Sequence, residues 1–323
     1  MRPDSTFLLR VFAVLAVCCT PAAVMAATYP LPPLPDNVIG ELQYVRARHE
    51  DTLLDIGRRH GVGYEEIVAA NPGVDPWLPG EGAQVLIPSR YILPDAPREG
   101  VVVSLSEHRL YYFPPTKPGE TPVVETYPVS VGKMDWKTPL GRTRIIQKRV
   151  KPIWYPPESV RREHAAEGRP LPRAVPPGPD NPLGEYAMRL GIPGGAYLIH
   201  GTNRPAGVGM PVTHGCIRMF PEDIQHLFEI TPVDTPVLLT DQPYKMGWRG
   251  DDLYIEIHAP LEAKDENTYS LTNITRLLVA ATQDRSAPID WARAERAFTQ
   301  ASGVPEVVTL RPATVQNLEE ETL

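Results

Sequence analysis

Cysteine is scarce in this 323-residue chain: there are 3, and Cys18 and Cys19 both lie close to the N-terminus. Long apolar runs are just as scarce, the main one being "VFAVLAVCCTPAAV" behind Arg2 and Arg10. That run is shorter than the roughly 20 residues a bilayer span needs. With the small residues of "VMAAT" after it, it reads as a secretory signal peptide over 1–26, cut after Ala26. A lipid anchor at Cys18 or Cys19 fits less well, because Val17 or Cys18 stands where a small residue should precede the modified cysteine. Export then leaves Cys216 alone, with no partner for an internal disulfide. An excess of positive charge is absent too: the formal net charge of -7 argues against nucleic acid as a partner. What the chain has in plenty is proline, 38 residues, which implies long irregular and extended segments rather than a helix bundle.

The length suggests about two domains on the usual size prior. Residues 28 to 37, "TYPLPPLPDN", read as a polyproline-like spacer. A first folded unit follows over 43–89. It opens on the strand "QYVRAR" and continues into a helix capped by Asp51 or Thr52, carrying Leu53, Leu54 and Ile56 and closed by Gly61. A second helix, "YEEIVAAN", places Ile67 against the first and stops at Asn71-Pro72-Gly73, and the chain returns as the strand "AQVLIP". This βααβ order, with "YVRARHEDTLLDIGRRHGV", "IVAANPGVD" and "LPGEGAQVLIP", resembles a LysM module, which implies recognition of the N-acetylglucosamine backbone of peptidoglycan. The alternative is a packing domain without ligand contacts.

From 98 onward the pattern is that of strands: "VVVSL", "RLYYF", "VVETYPVSV" and "GRTRIIQKRV" are rich in β-branched and aromatic residues. The passage from Pro152 to Gly184 is too long and proline-laden for an ordinary connection. Trp154 and Tyr155 inside it favour an ordered lid or cleft wall, with disorder as the alternative. Pro221 opens a helix with Glu222 and Asp223 at its positive end and Ile224, Leu227 and Phe228 on one face. The strand "TPVLLT" follows. The remainder, 243–323, reads as a helical extension with helices near "ITRLLVAAT" and "IDWARAERAFTQ", the second closed by Gly303.

The chemistry concentrates in "LIHGTNRPAGVGMPVTHGCIRM". A thiol of ordinary pKa, about 8.5, is only a few per cent ionised at neutral pH and needs a base or a nearby positive charge to act as a nucleophile. His214 lies two residues before Cys216, Arg218 two after, and His200 sixteen back at the end of a short apolar strand. Gly201, Gly207, Gly209 and Gly215 give the intervening loop the turns that bring an imidazole beside the sulfur. That pairing is the cysteine–histidine arrangement of nucleophilic catalysis. A lone buried thiol and a zinc site are the rival readings. Zinc would use His200, His214 and Cys216, but no fourth ligand is evident and Arg218 would stand beside the ion. "SVGK", Ser130 to Lys133, has the serine-x-x-lysine spacing but follows a strand, so its two side chains do not share a helix face.

"HGTNRP", "THGCIRMFPEDI", "TPLGRTRI" and "VPPGPDNPLG" resemble the catalytic domain of L,D-transpeptidases, the YkuD-like family, over 98–242. With the LysM-like unit in front, the chain is similar to the periplasmic enterobacterial subgroup. The resemblance implies a mainly β catalytic domain, a YkuD-like β-sandwich with a short helix after the cysteine. It makes Cys216 the nucleophile, His200 the general base that ionises it, and the carbonyl of Gly201 the acceptor orienting that ring, with Gly215 beside the nucleophile. His214 and Arg218 shape the cleft or meet the substrate, and Asn203, Arg204, Thr213, Trp154 and Tyr155 are candidate substrate contacts. For His214, Asn203 and Arg204 a structural role stays open. No metal or cofactor is implied. The implied partners are peptidoglycan tetrapeptide stems and glycan strands, and an outer-membrane lipoprotein with a C-terminal lysine. The implied reaction is formation of 3-3 cross-links or lipoprotein attachment through a thioester. A cysteine hydrolase on the same stems, or a non-catalytic wall-binding protein, are the alternatives.

Overall fold

The computed structural model describes residues 27–132, 138–261, 269–283, 285 and 287–310. The expected signal peptide, 1–26, and Lys133 of "SVGK" lie outside the described residues. In chain order the strands and helices are β1 (Ala27–Pro30), β2 (Val38–Gly40), β3 (Gln43–Arg46), α1 (Leu53–Arg59), α2 (Tyr64–Ala70), β4 (Gln84–Ile87) and β5 (Arg90–Ile92). Then come β6 (Gly100–Ser104), β7 (Arg109–Phe113), β8 (Val123–Pro128), β9 (Gly141–Val150), α3 (Glu158–Ala166), β10 (Tyr186–Leu190), β11 (Leu198–His200), β12 (Ile217–Arg218) and α4 (Pro221–Ile230). The last are β13 (Pro236–Thr240), β14 (Tyr244–Arg249), β15 (Asp252–Ile257), α5 (Leu271–Ala281), α6 (Trp291–Gln300) and β16 (Glu306–Val307).

Nine strands form one sheet in the order β1-β8-β7-β6-β13-β9-β10-β11-β12. The expected sandwich of two sheets is in fact this single sheet curled on itself. Val101, Val103, Tyr112 and Tyr127 of one half share a core with Ile145, Met188, Ile199 and Ile217 of the other, and Ile224 and Leu227 of α4 complete it. The corner is β9: its first half pairs with β13 (Pro236↔Arg144) and its second with β10 (Tyr186↔Val150). A register irregularity at Arg189/Leu190 lets the strand turn from one half into the other. β6 is apolar along its length because both faces are covered, Val101 and Val103 by that core and Val102 by a second one containing Tyr91, Tyr111 and Phe113.

Residues 28–37 are not a spacer. β1 adds to the edge of the sheet with Thr28↔Glu125 and Tyr29↔Val124, and Tyr29 packs against the second core. Polyproline and strand backbones occupy neighbouring dihedral regions, and an edge strand tolerates Pro30, so composition alone does not separate the two.

The segment from β3 to β4 has the strand, helix, helix, strand order around Leu53, Ile56, Val62, Ile67, Val85 and Ile87. Thr52 caps α1, and Asp55 returns the bond to the Thr52 N–H. Buried Asn71 ties α2 to β4: its Nδ2 donates to Ile67 O (2.7 Å) and Leu86 O (2.9 Å), and its Oδ1 accepts from Leu86 N (2.7 Å). The unit docks on the sheet through Arg109, wholly buried, which donates to both Glu66 oxygens at 2.7 and 2.9 Å, to Thr126 Oγ1 at 2.9 Å and to Gly61 O at 3.1 Å. A more exposed pair, Arg58 with Glu222 at 2.8 Å, joins α1 to α4.

The C-terminal extension is not purely helical. β14 and β15 form a hairpin about Gly250, β16 joins β15, and α5 and α6 cover a core of Leu253, Ile255, Ile257, Ile274 and Leu278. "YKMGWR" and "DLYIEI" are short strand runs separated by the turn residues Gly250 and Asp251, a hairpin signal outweighed in the sequence by the two longer helical stretches. Buried Lys245 of β14 fastens this unit to the sheet, with Nζ 2.9 Å from Glu107, 2.7 Å from Glu256 and 2.6 Å from Ile92 O.

The two docking pairs differ in burial and should differ in worth. Glu66→Gln strands a buried guanidinium and should cost about 3 to 5 kcal/mol. Glu222→Gln, in a pair with side chains 41% and 31% exposed, should cost about 1 kcal/mol or less. Urea unfolding of the two variants measures both, and equal losses would show that the Arg109 pair is not the main lock.

Candidate active site

The site is built on three adjacent strands. β10 pairs with β11 so that Ala187 lies opposite His200, and β11 pairs in parallel with β12 so that His200 lies beside Arg218. Ile199 and Ile217 point into the core, which turns His200 and Arg218 to the other face. On its outer side β12 is held by Ser130, with reciprocal bonds of 2.8 and 3.0 Å to Arg218. Ser130 is fully buried and its hydroxyl donates to Gly207 O at 2.7 Å, so it fastens the loop.

Cys216 immediately precedes β12. Gly215 before it has φ of +92°, a turn that a residue with a side chain adopts only under strain. Thr213, expected among the substrate contacts, is buried and donates its hydroxyl to Cys216 O at 2.6 Å, so it shapes the nucleophile turn instead of facing a ligand. The half-buried thiol donates to Ala196 O at 3.7 Å.

His200 is buried, and its Nδ1 lies 2.7 Å from Gly201 O. A carbonyl only accepts, so Nδ1 carries the proton and Nε2 keeps its lone pair. Burial, with the charge of Arg218 added, lowers the His200 pKa to about 3. Burial also raises that of Cys216, against smaller lowering effects from the backbone at Leu198 and from Arg218. Charge is therefore disfavoured on both the thiol and the imidazole, which opposes the expected ionisation of Cys216 by His200. The physical reason is desolvation, which disfavours charge on both partners at once. Burial likewise lowers the Arg218 pKa, and its Nε makes no hydrogen bond among the described residues.

The remaining candidates are structural supports or lie on the surface. His214 Nε2 is 2.9 Å from Glu163 Oε2, which links the nucleophile turn to α3 in the proline-rich passage. Asn203 is exposed and donates to Pro179 O at 2.9 Å, and the Arg204 side chain is exposed. Trp154 exchanges backbone bonds of 3.0 and 2.8 Å with Val175, and Tyr155 is 67% exposed. The passage is ordered around wholly buried Asn181, which donates to Pro152 O, Val175 O and Pro176 O and accepts from Leu183 N. Sequence reasoning missed Glu163, Asn181 and Ser130. Among the described residues the three metal-capable side chains whose donor atoms converge are Glu107, Glu256 and His258, away from Cys216, and the Lys245 ammonium already lies against both carboxylates.

The chain matches known proteins over most of its length. Residues 98–239 match the YkuD family model, described as an L,D-transpeptidase catalytic domain. The chain is 36% identical to the "Probable L,D-transpeptidase YcfS" of Escherichia coli (strain K12), over 95% of each chain. It is 37% identical to the "Probable L,D-transpeptidase YbiS" of the same strain, over 93% of this chain and 97% of that one. The chain belongs to the L,D-transpeptidase family. A third relative, the "Probable L,D-transpeptidase ErfK/SrfK" of Escherichia coli (strain K12), is 38% identical over 87% of this chain and 90% of its own. In this L,D-transpeptidase the fold thus holds a cysteine whose environment opposes ionisation.

That environment predicts how the thiol reacts with an uncharged haloacetamide. Because burial raises its pKa, the alkylation rate should keep climbing with pH beyond the ordinary thiol range and not level off near neutrality. Arg218→Gln removes a charge that favours the thiolate, so alkylation at pH 8 should slow further, by a few-fold to about tenfold. A plateau near pH 7 in the parent protein would mean that the thiolate is already formed.

Proposed function

We propose that this protein is a periplasmic L,D-transpeptidase that acts on tetrapeptide stems of peptidoglycan through a thioester on Cys216. The observation that carries this reading is the placement of the two groups: Cys216 immediately precedes β12, the strand paired with the one that ends in His200, whose Nδ1 proton is fixed on Gly201 O with Nε2 left as the acceptor. The Cys216 sulfur attacks the carbonyl on the L-centre of diaminopimelate while its proton passes to His200 Nε2. The carbon–nitrogen bond to D-alanine then breaks, and that proton leaves with the amine. An acceptor amine attacks the thioester, gives its proton to His200, and the thiol is restored.

Since burial disfavours charge on both partners, the proton moves with the attack and not before it. General-base assistance of this type is worth about 10² to 10⁴ in rate. Backbone N–H groups at the Gly215–Cys216 turn steady the oxyanion, a contribution of roughly 3 to 4 kcal/mol per donor in measured systems. The nearby charge of Arg218 favours the same anion.

The unit spanning β3 to β4 serves as a LysM-type binder of the glycan backbone. Its exposed Tyr44 (63%) and Trp77 (60%) support that role, since flat aromatic side chains suit sugar rings. The signal-peptide reading of 1–26 supports export, and no helix among the described residues is long and apolar enough to cross a membrane. The acceptor is a second stem's diaminopimelate or a lipoprotein's terminal lysine.

Incubating the protein with tetrapeptide muropeptides, with and without a lipoprotein carboxy-terminal peptide, tests this by mass spectrometry of the products. Dimers or peptide conjugates are expected, and Cys216→Ala should abolish them while leaving wall binding intact. Tripeptides alone would convert the reading to a hydrolase, and turnover by Cys216→Ala would place the nucleophile elsewhere.

A further inference from the structure

We propose that Arg189, seconded by Arg149, reads a free carboxylate on the stem peptide bound beside Cys216, an inference that rests on the substrate class given under Proposed function. It comes from strand register. On β10, Tyr186, Met188 and Leu190 belong to the core side, so Ala187 and Arg189 face the other way. Directly paired residues share a face of a sheet. Ala187 pairs with His200 on one side and Arg149 on the other, and Arg189 pairs with Leu198 and Gln147. His200 in turn lies beside Arg218. The face that carries the imidazole therefore also carries Arg149 and Arg189.

The same register fixes the spacing. Extending the β11–β12 pairing by one residue from Ile199↔Ile217 sets Cys216 alongside Leu198, so Cys216, Leu198, Arg189 and Gln147 form one rung across four strands. Strands lie about 4.8 Å apart, which puts the Arg189 backbone about 10 Å from that of the nucleophile. Arg149 lies diagonally from Arg189, at about 7 to 8 Å. Both arginines are exposed, and neither makes an ion pair or a side-chain hydrogen bond among the described residues. Two like charges so close on one sheet face repel each other, and an anion between them removes that cost.

A stem peptide supplies such an anion. Its glutamate is linked through the side chain and leaves the α-carboxylate free, and the far centre of diaminopimelate carries another. Each lies several bonds from the carbonyl that the sulfur attacks, a span that suits a guanidinium two strands away. The carboxylate of the departing D-alanine sits too near the reacting carbonyl to reach Arg189. A guanidinium grips a carboxylate with two parallel hydrogen bonds, whereas the corresponding amide offers one acceptor and no charge. Arg189 would thus discriminate free stems from amidated ones.

The test is equilibrium binding to the full chain carrying Cys216→Ala, which prevents turnover. Three soluble muropeptides are titrated by calorimetry: the free tetrapeptide, one amidated on the glutamate α-carboxylate, and one amidated on the far carboxylate of diaminopimelate. One of the two amides should bind about tenfold more weakly than the free form, which identifies the carboxylate. Adding Arg189→Gln should weaken the free form by a similar factor and erase that preference. Arg189→Lys should restore it in part, with thermal unfolding unchanged in both. Absence of any preference, a preference that survives Arg189→Gln, or equal weakening of all three ligands would overturn the proposal. Stem discrimination in binding, combined with no dimer, conjugate or tripeptide from the Cys216-containing protein, would leave the subsite standing and sink the proposed reaction.

Discussion

The bond from His200 Nδ1 to the carbonyl of Gly201 is the constraint on which the rest of the site depends. An imidazole has two tautomers, and only one leaves Nε2 able to take a proton. Because the acceptor belongs to the next residue in the chain, ring orientation is set by the end of β11 itself and needs no third side chain. The cost is burial: the ring sits where a charged imidazolium is disfavoured, which is why its pKa falls to about 3. A base of that kind holds a proton only while negative charge develops beside it.

Arg218 acts on both partners, in opposite senses for the reaction. Its charge lowers the pKa of His200, weakening the base, and also lowers that of Cys216, favouring the nucleophile. Its own burial disfavours its charge. An anion in the site relieves all three tensions together, since it pairs with the guanidinium and stabilises a protonated imidazole. The unliganded arrangement is thus poorly suited to a stored thiolate and better suited to a charge that exists only during reaction. A protonated thiol is also less open to oxidation.

Local patterns were legible in the sequence, and contacts between distant segments were not. The β-branched runs, the capping residue Thr52, the helix after Pro221 and the glycine before Cys216 each carry their signal within a few residues. The sixteen-residue step between His200 and Cys216 needed the resemblance to a family to rank the two histidines. Glu163 is another matter: it lies 51 residues before His214, inside a proline-rich stretch with no periodic signal of its own. The curl of the sheet was hidden as well, because β9 reads as one strand although its two halves serve different neighbours. The same holds for β1, whose Pro30 suits an extended linker as well as an edge strand.

The distance between the small βααβ unit and the reactive turn is shorter than a picture of a tethered module would suggest. Tyr64 N donates to Val208 O at 3.3 Å, Glu65 N donates to Gly209 O at 3.2 Å, and His108 Nδ1 lies 3.2 Å from the same Gly209 oxygen. Gly209 has φ of +89°, and a side chain there would stand 2.3 Å from Tyr64 N. The loop that runs from His200 to Cys216 is therefore clasped between α2 and β7's entry, and α2 is itself locked by Glu66 on Arg109. A flexible linker would leave each unit free to choose its own orientation. Here the hydrogen bonds share one loop, so the small unit sits at a set angle to the Cys216 turn, and rotation of that unit must either drag the loop or break bonds buried at its base.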